Sequence, residues 1–401
     1  MNVAIAEFLK GCVLERQDVD RWLNPKEPTW AHFDGELGWL LHDSVAQDGI
    51  DGSYTLSTFA KTGERTTFVY AGKPCRINSY GNSFTQCHQV SDGETWQTYL
   101  GAHIGEAVRN FGIGGYGVYQ AYRRMLRQEA ATPAEHMLLN IYALDDHVRS
   151  SDRWRRLRLP DYREELMRVR PYFFHSNPWA YALIDLDSGD VREYESLCPT
   201  PESLYDLCDP QYVYETFKDD LQVHITLARW GTKGLDAKLL RKAADVLGLS
   251  LDFGTTDATA KSARAIQIDQ GLKVSRYIVK KADEFARRLG KKLMILLSYE
   301  GGMVMAGCAG ATRQDAAFVE YLRSEDFTFV DTLASHIKDY ASFKITPEKY
   351  IDRYYIGHYN PTGNHFFAFA IKDAVVQWLD PKPITYNEAG ASIMNTVAKL
   401  A

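Results

Sequence analysis

The chain predicts an α/β fold built on a mainly parallel, doubly wound sheet, and three observations point there. Short apolar runs of strand character alternate with helical segments. Glycine turns follow two of the strands, at Gly81 and from Gly112 to Gly117. The same alternation resumes after a long irregular stretch near the middle of the chain. Strand–helix alternation favours a parallel sheet covered by helices, with reactive loops at the carboxyl ends of the strands.

Taken in order, residues 1–73 read as an N-terminal extension packed on the core. Residues 54–57 and 66–70 are short strands added to one edge of the main sheet, and the glycine-bracketed run at 48–52 is a turn. The core occupies 74–150 and 256–401. Ile77-Asn78-Ser79-Tyr80 ends the first strand, and Ser91-Asp92-Gly93-Glu94 opens a helix over 94–107. A short strand at 107–111 leads into the glycine turn, a helix follows over 119–129, and 137–142 is a central strand. Residues 151–255 break the pattern and read as an insertion, a lid or a substrate wall. Within it, Asp187-Ser188-Gly189 turns a hairpin, and Pro199, Pro201 and Pro210 mark irregular chain with short helices. The aromatic residues Tyr172, Phe173, Phe174, Trp179 and Tyr181 suit hairpin packing, with a wall against an apolar or sugar-like substrate as the functional alternative. The pattern then returns as a helix over 271–289, a strand at 292–298, a helix over 312–322, a strand at 327–331 and a last helix over 366–379.

Composition narrows the function classes. The 401 residues carry a net charge of −6 and no concentrated basic tract, so neither nucleic acid nor an anionic membrane is an expected partner. The locally basic run Arg153 to Arg158 is flanked by Asp152 and Asp161 and suits a solvated loop or an insertion surface. No apolar stretch reaches the length of a membrane span, and the amino terminus does not read as a secretion leader. Six cysteines are too sparse for a disulfide scaffold and match no zinc spacing, so a reduced, cytoplasmic protein without metal is expected. The number of subunits is left open, homo-oligomers included.

Ser83 is the leading candidate for chemistry. A serine leaving a strand beneath a helix is exposed and backed by free N–H groups, as a nucleophile requires. His358 is the candidate base, since a near-neutral imidazole can both accept and return the proton. Gly115 lacks a side chain, so its N–H can approach a developing oxyanion, with the N–H of Ser83 as second donor. Asn82, Asn110 and Asn360 support the turns around these residues. A competing pattern exists: Gly112, Gly114 and Gly117 match the dinucleotide-binding G-x-G-x-x-G, with Asp145 closing the next strand, although further along than such sites usually place it. The serine and histidine have no place in that reading, and no cofactor is expected.

Three strings resemble the SGNH/GDSL-type hydrolases, over about residues 74–148 and 290–375. Gly81-Asn82-Ser83-Phe84-Thr85 is similar to the first block of that family, with asparagine where aspartate is usual. Asn110-Phe111-Gly112-Ile113-Gly114-Gly115 resembles the second, and His358-Tyr359-Asn360-Pro361 the block that holds the histidine. The resemblance implies a flavodoxin-like sandwich and a serine esterase acting through an acyl-enzyme. A small acyl group on a carbohydrate or another polar small molecule is the substrate it suggests. It also implies two departures. Asp145 stands where the family presents an asparagine oxyanion donor, leaving His147 or Asn82 as replacements. Tyr355 stands where the family carries an aspartate three residues before the histidine. The orienting acid is then Asp352, Asp331, Asp145 or Asp146, or a backbone carbonyl takes that part. An acyltransferase using the same serine and a binding module on a dismantled hydrolase fold are the alternative functions.

Overall fold

The computed structural model describes residues 3–26, 29–158 and 175–386. Tyr172, Phe173 and Phe174 lie outside the described residues. The chain divides into two compact units, one of residues 1–42, 117–120 and 144–278, the other of residues 43–116, 121–143 and 279–401.

The second unit holds a five-stranded sheet: β1 (Ile77–Tyr80), β2 (Arg109–Asn110), β3 (His136–Tyr142), β4 (Lys292–Ser298) and β5 (Phe329–Asp331). Their order is β2-β1-β3-β4-β5, and every pairing is parallel. β3 and β4 run in register from His136 opposite Lys292 to Tyr142 opposite Ser298. Both are near-continuous buried runs, as strands covered on two faces must be.

Helices cover both faces. The flanking helices are α1 (Ser83–Gln86), α2 (Trp96–Ile104), α3 (Val118–Ala131), α4 (Gly301–Cys308), α5 (Ala316–Ser324), α6 (Thr332–Tyr340), α7 (Pro347–Tyr354) and α8 (Pro361–Trp378). Adjacent residues of β1 show the two layers. The Ser79 hydroxyl accepts from Gln97 of α2, while the Tyr80 hydroxyl donates to Glu129 of α3 at 2.7 Å. Glu129 is buried and also accepts from Asn78 at 2.7 Å and from Lys291, which compensates its charge.

The segment before β1 departs from expectation. Thr55–Ser57 is a strand, but it pairs antiparallel with Ser44–Ala46 in its own ladder. No strand forms at 66–70. The chain meets the sheet edge through Arg65, whose N–H donates to the Asn110 carbonyl at 2.8 Å. The Arg65 side chain is what ties it down: fully buried, it bonds Asp92 at 2.7 Å and the carbonyls of Gln86, Cys87 and Val90. The helix expected over 312–322 is α5, and a further helix, α4, precedes it.

The first unit begins with helices Val3–Cys12 and Arg16–Leu23 and an antiparallel ladder of Ala31–Asp34 with Gly38–Leu41. The expected hairpin is present, Tyr181–Ile184 against Val191–Tyr194. Trp179 and Tyr181 pack within this unit, edge-on to Trp39 and stacked on Tyr194 respectively. The inserted region is largely helical, with Pro210–Phe217, Leu221–Arg229 and Lys238–Leu247 around a core of Ile225, Leu240, Ala244 and Ile266. The helix expected over 271–289 runs from Thr256 to Arg288, 33 residues. Gly271 is not its start. A Cβ there would lie 2.6 Å from the His147 carbonyl, so this glycine permits close packing in mid-helix.

Candidate active site

β1 delivers its last residue, Tyr80, to a turn that only glycine can make. Gly81 has φ +153°, and a Cβ on it would lie 2.1 Å from the Thr85 hydroxyl and 2.5 Å from the Asn140 carbonyl. Asn82 then caps α1, its side-chain oxygen accepting from Phe84 N–H at 2.8 Å. Ser83 is therefore the first residue of a short helix, half-buried, and its N–H meets no acceptor among the described residues.

The segment after α1 is strained. Cys87 and Gln89 both adopt left-handed backbone, φ +62° and +69°, which costs about 1–3 kcal/mol each without a glycine. The Arg65 guanidinium offsets this by binding three carbonyls of the segment, while Gln97 holds the Thr85 carbonyl at 2.8 Å.

His358 arrives on a tight loop between Tyr355 and Tyr359, which form an isolated antiparallel bridge. Its Nε2 lies 2.9 Å from Ser83 Oγ and its Nδ1 2.9 Å from Gln89 Oε1. The tautomer follows from groups whose roles are fixed. The backbone N–H of His358 donates to the same Gln89 Oε1 at 2.9 Å, and Gln89 Nε2 donates to the Asp48 carbonyl at 3.2 Å. The amide oxygen must face His358, so Nδ1 carries the proton and Nε2 offers its lone pair to the serine hydroxyl. Gly357, φ +115°, makes room for this contact, since a Cβ there would lie 2.8 Å from Gln89 Oε1.

The residue after the histidine anchors it. The Tyr359 hydroxyl lies 3.0 Å from Nε2 of His336 on α6, and the opposite nitrogen of His336 lies 3.1 Å from the Tyr350 hydroxyl. Asn360 caps α8, accepting from Gly363 N–H at 2.8 Å, and its amide donates to the Arg353 carbonyl, so it fixes the turn into Pro361.

Two further groups adjoin the pair. The His88 ring stacks on that of His358 with centroids 5.1 Å apart and planes 9° from parallel. His88 Nε2 lies 3.1 Å from Asp48 Oδ2, and the other Asp48 oxygen accepts from the Thr55 hydroxyl at 2.5 Å. Partial burial alone would raise the Asp48 carboxyl. Its bonds to His88 and Thr55 and the nearby imidazole charge outweigh burial and hold it below the usual range. Sequence reasoning missed Asp48, His88 and Gln89. The run around Asp48 read only as a turn, and a glutamine acting as acceptor carries no spacing signal.

The glycine turn lies against Ser83, but most of its donors are committed. A Cβ on Gly114 would come 3.6 Å from Ser83 Cβ, yet the Gly114 N–H bonds Gln86 Oε1 at 2.7 Å. Gly112 N–H goes to the Asn110 side chain, Ile113 N–H to the Gly81 carbonyl and Gly117 N–H to Gln120. A pyrophosphate cradle needs those same N–H groups pointing outward. Gly115, buried with φ +87°, keeps an N–H without an acceptor among the described residues.

Of the acids proposed to orient His358, Asp331, Asp145 and Asp146 have partners of their own. Asp352 is exposed on α7. Asp331 caps α6 and pairs with Arg313. Asp145 belongs to helix Ala143–Arg149 and pairs with Arg149 and Arg158; burial opposes its ionisation, but the arginines prevail and hold it near 2. Asp146 also pairs with Arg149, and His147 is buried in the same helix. The partner of Nδ1 is the Gln89 amide oxygen, where an acid or a backbone carbonyl was expected. Among the described residues no group of three or more His, Cys, Asp or Glu side chains could hold a metal, and no helix is long and apolar enough to cross a membrane. No protein-family model matches the chain, and no curated protein matches it in sequence.

Proposed function

We propose that this protein is a serine hydrolase of the SGNH/GDSL type that cleaves a carboxylic ester through an acyl-enzyme on Ser83. One observation carries the reading: an unprotonated Nε2 of His358, its tautomer fixed by Gln89, lies 2.9 Å from Ser83 Oγ. The strand order β2-β1-β3-β4-β5 supports the finer fold, since it matches the doubly wound flavodoxin-like order, in which ligands bind near the switch point beside the first strand. Ser83 follows that strand.

In this mechanism Ser83 Oγ attacks the ester carbonyl while His358 Nε2 takes its proton. The carbonyl oxygen becomes negative and is held by the N–H groups of Ser83 and Gly115. Collapse expels the alcohol, which leaves with the proton from His358. Water, deprotonated by the same nitrogen, then attacks the acyl-enzyme and releases the acid. This reading uses two backbone donors, and each donor of this kind contributes about 2.7–4 kcal/mol to the transition state. The substrate class that suits this reading is a small acyl ester of a carbohydrate or other polar molecule.

The test is hydrolysis of p-nitrophenyl acetate by wild type and Ser83→Ala. The expected loss is at least about a thousandfold in kcat. Equal background rates in both would favour the binding-module alternative. Acyl transfer to added alcohol at the expense of free acid would favour an acyltransferase.

A further inference from the structure

We infer that Asp48 supplies the negative charge of this site, acting on His358 through the stacked ring of His88 and not through a direct hydrogen bond; the inference rests on the serine-hydrolase reading. Gln89 orients His358 but is neutral, so it offers no Coulombic partner to the imidazolium that forms when Ser83 gives up its proton. Asp48 is placed to fill that gap. Its carboxylate lies 3.1 Å from His88 Nε2, and the His88 ring lies parallel to His358 at 5.1 Å. With the carboxylate at its Nε2, the His88 ring turns its face toward the developing cation on His358.

The same residue also secures the orienting group, because the Asp48 backbone carbonyl accepts from Gln89 Nε2 at 3.2 Å. Two imidazoles this close repel each other when both are charged, so the pair with Asp48 favours a single positive charge. Among the described residues, the groups that face the two rings include Asp48 from the loop after Ser44–Ala46, Ser83 and Phe84 from α1, Gln89 from the strained segment, and the glycine turn, which brings no charge. Asp48 and His88 are positioning residues here; neither touches the ester.

The variant that isolates the charge is Asp48→Asn. It keeps the backbone carbonyl that holds Gln89 and can still accept from Thr55. Removing a nearby carboxylate destabilises the imidazolium, so His358 becomes a weaker base and stays neutral to lower pH. In Asp48→Asn, kcat for p-nitrophenyl acetate should fall about tenfold with KM unchanged, and the acid limb of the pH profile should move down by about one pH unit. The NMR titration midpoint of the His358 ring should fall by the same amount. His88→Gln, which removes the intervening ring but leaves the carboxylate, should give only part of the shift, and Asp48→Glu should restore part of what Asp48→Asn loses. A His358 midpoint unchanged in both Asp48→Asn and His88→Gln would overturn the inference. If wild type fails to turn over the ester, the serine-hydrolase reading falls, and the NMR titration still decides whether Asp48 is coupled to His358.

Discussion

Gln89 accepts two hydrogen bonds from His358, one from the ring and one from the backbone, and gives none to it. That arrangement sets the tautomer without adding charge. Replacing it by alanine should release the ring and lower kcat by about a hundredfold to ten-thousandfold, the range expected when a catalytic histidine loses its orienting partner. Gln89→Glu makes the opposite point. A carboxylate beside Nδ1 stabilises the imidazolium, so the acid limb of the rate profile should rise by about 1–3 pH units in that variant. A profile unmoved by the carboxylate would show that Gln89 does not govern the proton on His358. At this scale the sequence singled out Ser83 and His358, which the fold brings within 2.9 Å, because short local strings constrain their backbones: glycine before the serine turn, Asn-Pro after the histidine. Gln89 and Asp48 were illegible. The bond from His358 to Gln89 spans 269 residues, and nothing local to either end announces it.

The elements that carry these side chains depend on a few buried polar anchors. Arg65 fixes the strained segment at Cys87 and Gln89 through its carbonyls and pairs with Asp92, both side chains being almost wholly buried. Arg65→Ala leaves that carboxylate and those carbonyls without their partner and should cost about 3–5 kcal/mol, read as a lower midpoint in chemical denaturation. A midpoint within about 0.5 kcal/mol of wild type would show the contacts to be expendable. Gly357→Ala tests the other loop. A methyl group there presses on Gln89 Oε1, so kcat should fall while the far-UV spectrum is unchanged. The strong periodic elements could be read in advance, since β3 and β4 are long apolar runs, whereas the buried face of α8 carries Phe367, Ala368, Ile371 and Val375, of which the expected Phe366, Phe369, Ala370 and Val375 share only the last. The segment before β1 could not. Residues 66–70 have strand-like composition but form no strand, and the Arg65 side chain that ties this segment down finds its partners only in the folded protein.

Across the whole chain, the parallel sheet was legible from alternation, whereas the break at His42 between the two compact units was not, because no composition shift marks it. One buried group gives the sheet unit a pH dependence. His336 is fully buried, and desolvation pushes it down to about 3. An unfolded histidine titrates near 6.5, so below that pH the unfolded chain takes up a proton that the folded one refuses. The stability lost from this group alone should reach about 2–3 kcal/mol at pH 4.5. His336→Gln should flatten that acid slope in denaturation midpoints between pH 7 and 4.5, even where its stability at pH 7 is lower. An identical slope in the variant would assign the acid sensitivity elsewhere.

The central claim concerns the hydroxyl of Ser83, and covalent labelling addresses it most directly. The protein is treated with an organophosphonate at neutral pH, digested, and the modified peptide sequenced by mass spectrometry. A single phosphonyl adduct on Ser83, absent from Ser83→Ala and slowed at least about a hundredfold in His358→Ala, is the expected result. Folded wild-type protein that remains unmodified at Ser83, or that reacts equally fast without His358, would contradict it.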